Sequence, residues 1–417
     1  MKLLRKPSFP KWLSAIHPQV WILAIGRFLS EIGTGFTLFF APIFFVNQVG
    51  LSATQVGFAL GSGSVAGVFG RILGGSLTDS PQYGRRRTLL LSTAIASIGS
   101  LVLSLTHDFN TLIAGNLIYG FAIGLYWPST EAVVADLTVK STRRLSFAIT
   151  RLADNLGMGM GIVLAGIIIG TTNNYRLLFT ADAISFLVFF VVIWIAISET
   201  LVVEDRKPEK REYLRAWIAA LQNRKLRIFV VVNIVFTTYI SQLHSILPLY
   251  FKNYVNTTGG KSIFSETDIS ALFACHLVVA ILAQLPVARI LNRFSHTQAL
   301  TVSALVWAVG FGLVWQTGTS ASKEIAIIAL GVFAIAIVSY TPYAVALVSD
   351  LAPPSQRGVY LSINSLCWAC GYFIGPSLGG WVLDAGIVNT YWICLAASVV
   401  VTIMILQYLQ TVLSRKC

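Results

Sequence analysis

The chain has 417 residues and a mass of 45.4 kDa, with 55% hydrophobic and only 11% charged residues. Soluble proteins carry about a quarter charged residues. A mean hydropathy of +0.74 therefore excludes a soluble enzyme and, equally, a disordered chain. The net charge of +13 does not point to nucleic acid, because the basic residues form short clusters between long apolar runs.

A transmembrane helix needs about 20 mostly apolar residues. Twelve such runs are predicted, over 20–46, 55–78, 88–107, 110–134, 146–169, 176–197, 228–251, 267–290, 298–317, 322–348, 358–383 and 388–412. The first follows Lys2, Arg5, Lys6 and Lys11 and is too long for the apolar region of a cleaved signal, so it is read as a retained helix. It carries a polar stripe, Arg27, Ser30, Glu31 and Thr34, of the kind that lines a cavity rather than facing lipid. The second run has glycines at small-x3-small spacing, which permits close helix contact. It ends at Gly75-Ser-Leu-Thr-Asp79, and Gly84-Arg85-Arg86-Arg87 opens the third. An aspartate at a helix C-terminus opposes the helix dipole. Arg85, Arg86, Arg87 and the region of Asp136 are expected to compensate Asp79 in a gating cluster that holds one state closed and releases in another; the competing reading is that the arginines only fix topology.

The fourth run holds Asn116, Tyr126, Trp127 and Glu131, and the fifth holds Arg151 and Asp154. A charge in hydrocarbon costs several kcal/mol, so each needs a function or a partner. Arg27 and Glu31 (i,i+4) and Arg151 and Asp154 (i,i+3) are expected to pair along their own helices. Glu31, Glu131 and Asp154, with Arg27 and Arg151 beside them, are the proton-coupling candidates. Desolvation favours the neutral form of a carboxyl and a nearby arginine favours the charged form, so a change in water access can switch the balance. A static role, holding helices in register, is the competing reading.

Residues 198–226 form the one long polar interruption and read as a linker with a solvated charged face. In the seventh run Asn233, Thr237, Ser241 and His244 repeat the helical stripe without charge. Tyr340, Tyr343, Trp368 and Tyr372, with Tyr126 and Trp127, offer aromatic faces for an amphipathic or cationic substrate, or simply pack. Cys367 and Cys370 form a C-x-x-C inside an apolar helical run, where packing is expected rather than redox or metal chemistry. Gly259-Gly260-Lys261-Ser262 looks like the tail of a phosphate loop, but its first glycine would fall on Val255, so no ATP binding is expected. No cofactor and no metal are implied.

Of the thirty Lys and Arg, twenty-three lie on one side of the predicted spans, among them Arg143. Only Arg176, Lys252, Lys261 and Lys323 lie opposite. This asymmetry predicts that both termini and the linker are cytoplasmic. The halves repeat. Pro128, Asp136, Arg143, Gly157 and Gly161 recur 214 residues later as Pro342, Asp350, Arg357, Gly371 and Gly375. Pro42 and Asn47 recur 206 residues later as Pro248 and Asn253. The fold expected is an all-α integral membrane protein of twelve helices. Six-helix bundles over 1–197 and 227–417 are related by a pseudo-two-fold axis along the membrane normal, and the linker 198–226 joins them.

The loop Gly75-x3-Asp79…Gly84-Arg85-Arg86-Arg87 resembles that of the major facilitator superfamily, although Ser80 to Tyr83 lengthen it. So does Gly120-x3-Gly124-x3-Pro128-x7-Asp136-x6-Arg143. Asn116 stands where many proton-coupled members carry an arginine. The Gly-Pro-x-x-Gly-Gly of exporters lies on the eleventh run, at Gly375 to Gly380, rather than on the fifth. The resemblance extends to the drug/proton antiporter branch. It implies a multi-pass protein of the cell inner membrane, a monomer, that moves a small-molecule substrate by alternating access with protons as the coupling ion. Uptake of a sugar or other metabolite, and a non-transporting sensor or scaffold, are the alternatives. The only partners expected besides substrate and proton are the lipids of the bilayer.

Overall fold

The computed structural model describes residues 16–201, 217–255, 262–353 and 356–414. Among them twelve helices are long and apolar enough to cross a membrane. The first, α1 (Pro18–Asn47), is divided by a turn at Phe39 and Phe40. The others in the first half are α2 (Ala53–Thr78), α3 (Gly84–Ser104), α4 (Phe109–Asp136), α5 (Lys140–Thr172) and α6 (Arg176–Ala196). The second half has α7 (Arg224–Asn253), α8 (Glu266–Leu291), α9 (His296–Ser320), α10 (Lys323–Leu351), α11 (Arg357–Asp384) and α12 (Val388–Ser414). The predicted runs coincide with these helices to within a few residues. Most of the expected linker, and the segment holding Gly259, Gly260 and Lys261, lie outside the described residues.

Local chemistry sets the helix ends. Ser52 with Gln55, Asp108 with Thr111, Ser265 with Asp268, and Ser295 with Gln298 form reciprocal caps at the starts of α2, α4, α8 and α9. Gly84, which opens α3, needs to be glycine twice over. Its φ is +73°, and a Cβ there would lie 2.4 Å from a Glu199 carboxylate oxygen.

Within each bundle small residues let backbones touch, because lipid supplies no hydrophobic drive between helices. A Cβ on Gly120 of α4 would fall 2.0 Å from the Gly63 carbonyl of α2. The repeat-related glycines do the same work in both halves. Gly157 and Gly161 seat α5 on the Phe28 and Ile32 carbonyls of α1, while Gly371 and Gly375 seat α11 on Thr237 and Ser241 of α7.

The bundles meet through α2 with α11 and α5 with α8. These contacts lie toward the face that bears the α1–α2 and α7–α8 connections, called here the far face. Cβ atoms on Gly57 and Gly380 would strike the carbonyls of Pro376 and Ala53 at 2.0 and 2.2 Å. The Ser270 hydroxyl of α8 donates to the Ile162 carbonyl of α5. Asp384 closes the seam by accepting from the Ala53 N–H (3.0 Å), the Thr54 N–H (2.7 Å) and the Thr54 hydroxyl (2.5 Å). Toward the opposite, arginine-rich face the bundles part. From Ile281 to Pro286, α8 is exposed on nearly every side, and α5 is exposed at Arg151, Leu152, Asn155 and Leu156. A helix packed on a neighbour buries one face; this stretch of α8 does not, and α5 here buries only the face it turns to α1, at Thr150, Asp154 and Gly157.

Candidate functional site

The charges of the first half converge where the bundles part. Arg27 of α1 is 1% exposed, and its partner is not Glu31. Its guanidinium reaches across to α5, where Nε donates to Asp154 Oδ1 at 2.8 Å and Nη2 donates to Oδ2. Nη1 donates to the Thr130 hydroxyl of α4 at 3.4 Å. A planar fork on a carboxylate is the strong form of this pair, and a neighbour on the same helix cannot offer it as well. Arg151 keeps its helix neighbour at the edge of ion-pair distance, with Nη1 4.0 Å from Asp154, and adds a closer partner, Nη2 donating to Glu131 of α4 at 2.6 Å. Of the two pairs expected along single helices, Arg27–Glu31 is thus replaced by a pair between helices, and Arg151–Asp154 forms beside one.

Glu31 is the carboxyl left over. It is 7% exposed, its Cβ is wedged 3.0 Å from the Cβ position of Gly157, and no cation lies within ion-pair distance among the described residues. Thr34, one turn on, donates to the Ser30 carbonyl and is half-buried. Trp127 lies between two guanidiniums, with Arg27 at 5.3 Å and Arg151 at 4.8 Å from its ring centroid. Tyr126 is buried beside Arg27. Asn116 donates to the Leu112 carbonyl of its own helix at 3.0 Å and packs against α2 at Gly63, so it is a packing residue in this structure.

Most of the stripe on α7 is bonded inside its bundle. Asn233 donates to Asn364 (2.9 Å) and accepts from the Tyr340 hydroxyl. Thr237 and Ser241 donate to the Cys367 and Gly371 carbonyls of α11 at 2.9 and 3.0 Å. All three are fully buried and hold α7 on α11 rather than lining the cleft. Tyr343 is also buried and donates to the Ala288 carbonyl at 3.3 Å. His244, hydrogen-bonded to the Tyr372 hydroxyl at 2.7 Å, is half-buried, as are Tyr372 and Trp368.

At the arginine-rich face, Arg85 ties the ends of α2 and α4 together. It donates to the Thr78 carbonyl (2.7 Å), to Asp79 and, through Nε, to Asp136 (3.0 Å). Arg143 donates to the Ala135 and Thr138 carbonyls, Arg86 to the Trp194 carbonyl at 2.6 Å and Arg87 to the Gln82 carbonyl at 2.9 Å. All of these partners belong to the first bundle. A Cβ at Gly75, in the same region, would meet open space.

Two acids escaped the sequence reading. Glu199, taken with the linker's solvated charges, accepts from the backbone N–H groups of Arg85 (2.9 Å) and Arg86 (3.1 Å) and so caps α3. No local pattern announces that pairing. Asp182 on α6 is 1% exposed, accepts from the Ser100 hydroxyl and leaves Oδ1 without a hydrogen-bond partner among the described residues. A lone carboxyl inside an apolar run was visible, and the rule applied to Glu31 applies to it as well.

Two six-helix bundles around a charged cleft define a secondary membrane transporter rather than an enzyme. The chain belongs to the Major Facilitator Superfamily, whose sequence profile matches residues 23–264 and 243–415. It is similar to a Na(+), Li(+), K(+)/H(+) antiporter of Planococcus maritimus, with 24% identity over 376 residues, 84% of this chain and 86% of that one. It is also similar to the quinolone resistance protein NorA of Staphylococcus aureus, with 20% identity over 94% of this chain and 96% of that one. In fold it resembles the crystal structure of the nucleoside transporter NupG, with a TM-score of 0.80 at 14% identity over 94% of this chain and 99% of that one. The protein is therefore a multi-pass membrane transporter of a small-molecule substrate.

Proposed function

We propose that the protein exports small organic, amphipathic molecules in exchange for protons, by alternating access, as a monomer of the cell inner membrane. Both termini and the arginine-rich face are cytoplasmic in this reading. The cleft then opens to the cytoplasm, and the Asp384 seam shuts it from the other side. The cleft lies between two bundles of one chain, so a single copy holds a whole pathway. The names of the two sequence relatives, an antiporter and a resistance protein, agree with export against a proton gradient.

The observation that carries the coupling is Glu31. It is buried beside the cleft without an ion pair, whereas Arg27 and Asp154 satisfy each other. A carboxyl so placed can gain or lose a proton without breaking a bridge, and its charge is felt strongly in a low-dielectric site. Glu131 and Asp154 hold their arginines and shape the field around it. The Arg85 cluster binds the α2–α3 loop to α4 and makes the first bundle swing as one body.

The test is dissipation of an imposed pH gradient in proteoliposomes by a panel of neutral, cationic and anionic amphipaths. Wild type is expected to dissipate it with at least one class and Glu31→Gln with none. Equal dissipation by Glu31→Gln overturns the role of Glu31; none by wild type overturns proton coupling.

A further inference from the structure

We propose that the cleft selects small amphipathic carboxylates, with Arg71 as the residue that receives the anionic group. The inference rests on the cleft being the transport path, as read above, and not on the protonation of Glu31. The first observation is the direction of Arg71 on α2. Phe58, Val65, Phe69, Ile72 and Leu73 are exposed on the lipid side of that helix, and Gly63, Gly67, Gly70 and Gly74 pack on α4. Gly57 and Gly61 face α11. At 3.6 residues per turn, position 71 falls between the α4 and α11 directions, turned away from the lipid side and into the cleft. Arg71 is exposed there.

The second observation is the charge inventory of the cleft. Asp154 is held by the fork of Arg27, and Glu131 is bonded to Arg151 at 2.6 Å. Arg71 alone of these three arginines has no hydrogen bond or ion pair among the described residues. The repeat supplies no second cation, because the position 214 residues on is Leu285. Glu131 acts on Arg71 through space and Glu31 lies in the same region, but the N–H donors of Arg71 are unoccupied among the described residues, and an anion with a forked acceptor fits the guanidinium.

The third observation concerns what the aromatics still offer. A substrate cation would need an open ring face, but Trp127 is already flanked by two guanidiniums and Tyr126 is buried. The half-buried rings of Trp368 and Tyr372 are on the other bundle, and among the described residues neither side chain bonds to a carboxylate. Gly61 of α2 lies against Phe373 of α11, and the two helices run in opposite directions. Trp368 is therefore level with position 66, about 8 Å along the axis from Arg71. That span suits a molecule with a carboxylate at one end and an aromatic or alkyl body at the other.

The experiment is the thermal stability of the purified full-length protein titrated with benzoate and salicylate, against benzamide and benzylammonium as neutral and cationic relatives. The carboxylates are expected to raise the melting temperature saturably and the other two to leave it in place. Arg71→Gln is expected to melt normally without ligand and to weaken carboxylate affinity by about tenfold or more, with Arg71→Lys in between. The proposal is overturned if benzamide or benzylammonium protects as well as the carboxylates, if no carboxylate protects, or if Arg71→Gln responds as wild type. Should the unliganded Arg71→Gln protein melt early, the same ligand series on Arg71→Lys decides. Arg71-dependent protection without pH-gradient dissipation sinks the exchange mechanism and leaves this inference standing.

Discussion

Asn47 and Asn253, 206 residues apart, bind each other: each side-chain amide donates to the other's carbonyl, at 2.9 and 2.7 Å. They are repeat-related positions, so their reciprocal bond marks where the pseudo-two-fold axis crosses the far face, where the bundles are closed. Asp384 has no such counterpart, because its repeat position is Gly170. The seam is thus symmetric at the axis but latched differently on its two sides, by Asp384 on one and by the Tyr175 hydroxyl donating to Glu266 (3.0 Å) and Ser270 to Ile162 on the other.

Removing the latch charge is expected to open that face. Asp384→Asn loses a charge-assisted contact with two N–H groups and a hydroxyl, worth about 1.5–3 kcal/mol, enough to shift a two-state balance by about tenfold or more. Spin labels flanking the seam, read by pulsed dipolar spectroscopy, should report a larger far-face separation. An unchanged distance distribution would rule out the latch.

The Arg27–Asp154 pair should behave as a buried bridge. Asp154→Asn leaves a guanidinium 1% exposed without its counter-charge and is expected to lower stability by about 3–5 kcal/mol. Arg151→Gln, at a half-exposed site, should cost about 1 kcal/mol or less. The unfolding midpoints of the two variants in mild detergent compare them directly. Equal losses would contradict the burial argument.

Two glycine substitutions separate packing from loop function. Gly120→Ala pushes a Cβ to 2.0 Å from the Gly63 carbonyl, and overpacking of this kind costs about 1–3 kcal/mol. Gly75→Ala meets open space in a helix and should be neutral or stabilising by up to about 1 kcal/mol. Thermal unfolding ranks them; the reverse order would refute the close α2–α4 contact.

The cap on α3 gives a fourth measurement. Glu199→Ala strips the acceptor from the Arg85 and Arg86 N–H groups and is expected to cost about 1 kcal/mol. Hydrogen exchange at residues 85–88 should rise while the rest of α3 stays protected. Uniform exchange across the bundle would mean that Glu199 does more than cap.

Outside the spans, Asp108 caps α4. The backbone N–H of Thr111, above all, holds its carboxyl below the ordinary 3.8. A depressed carboxyl contributes stability above its ordinary value and loses it as pH falls through the folded one. Acid should therefore fray the first turn of α4 only below pH 3.8, and Asp108→Asn should abolish that pH dependence. Amide exchange at Thr111 between pH 5 and about 3 checks it.

Much of the architecture was legible in advance. Apolar runs, basic loops and residues recurring at a constant offset are properties of the chain read in one dimension. Gly157, Gly161, Gly371 and Gly375 then proved to hold equivalent helix pairs. The site was legible only as an inventory. Arg27, Glu31, Glu131, Arg151 and Asp154 could be named, but their partners could not, since spacing along one helix competes with helices not yet placed. Asn233, Thr237 and Ser241 had the periodicity of a cavity wall and turned out to serve a helix interface.

The sequence by itself determined twelve spans, a duplicated plan and which side is basic, because hydropathy and charge are summed along the chain. Tertiary structure alone decided that Arg27 takes Asp154, that Glu31 and Arg71 form no direct ion pair among the described residues, and that Glu199 caps α3. It also decided which face is shut. Pairings depend on distances between helices, and a sequence carries no such distance.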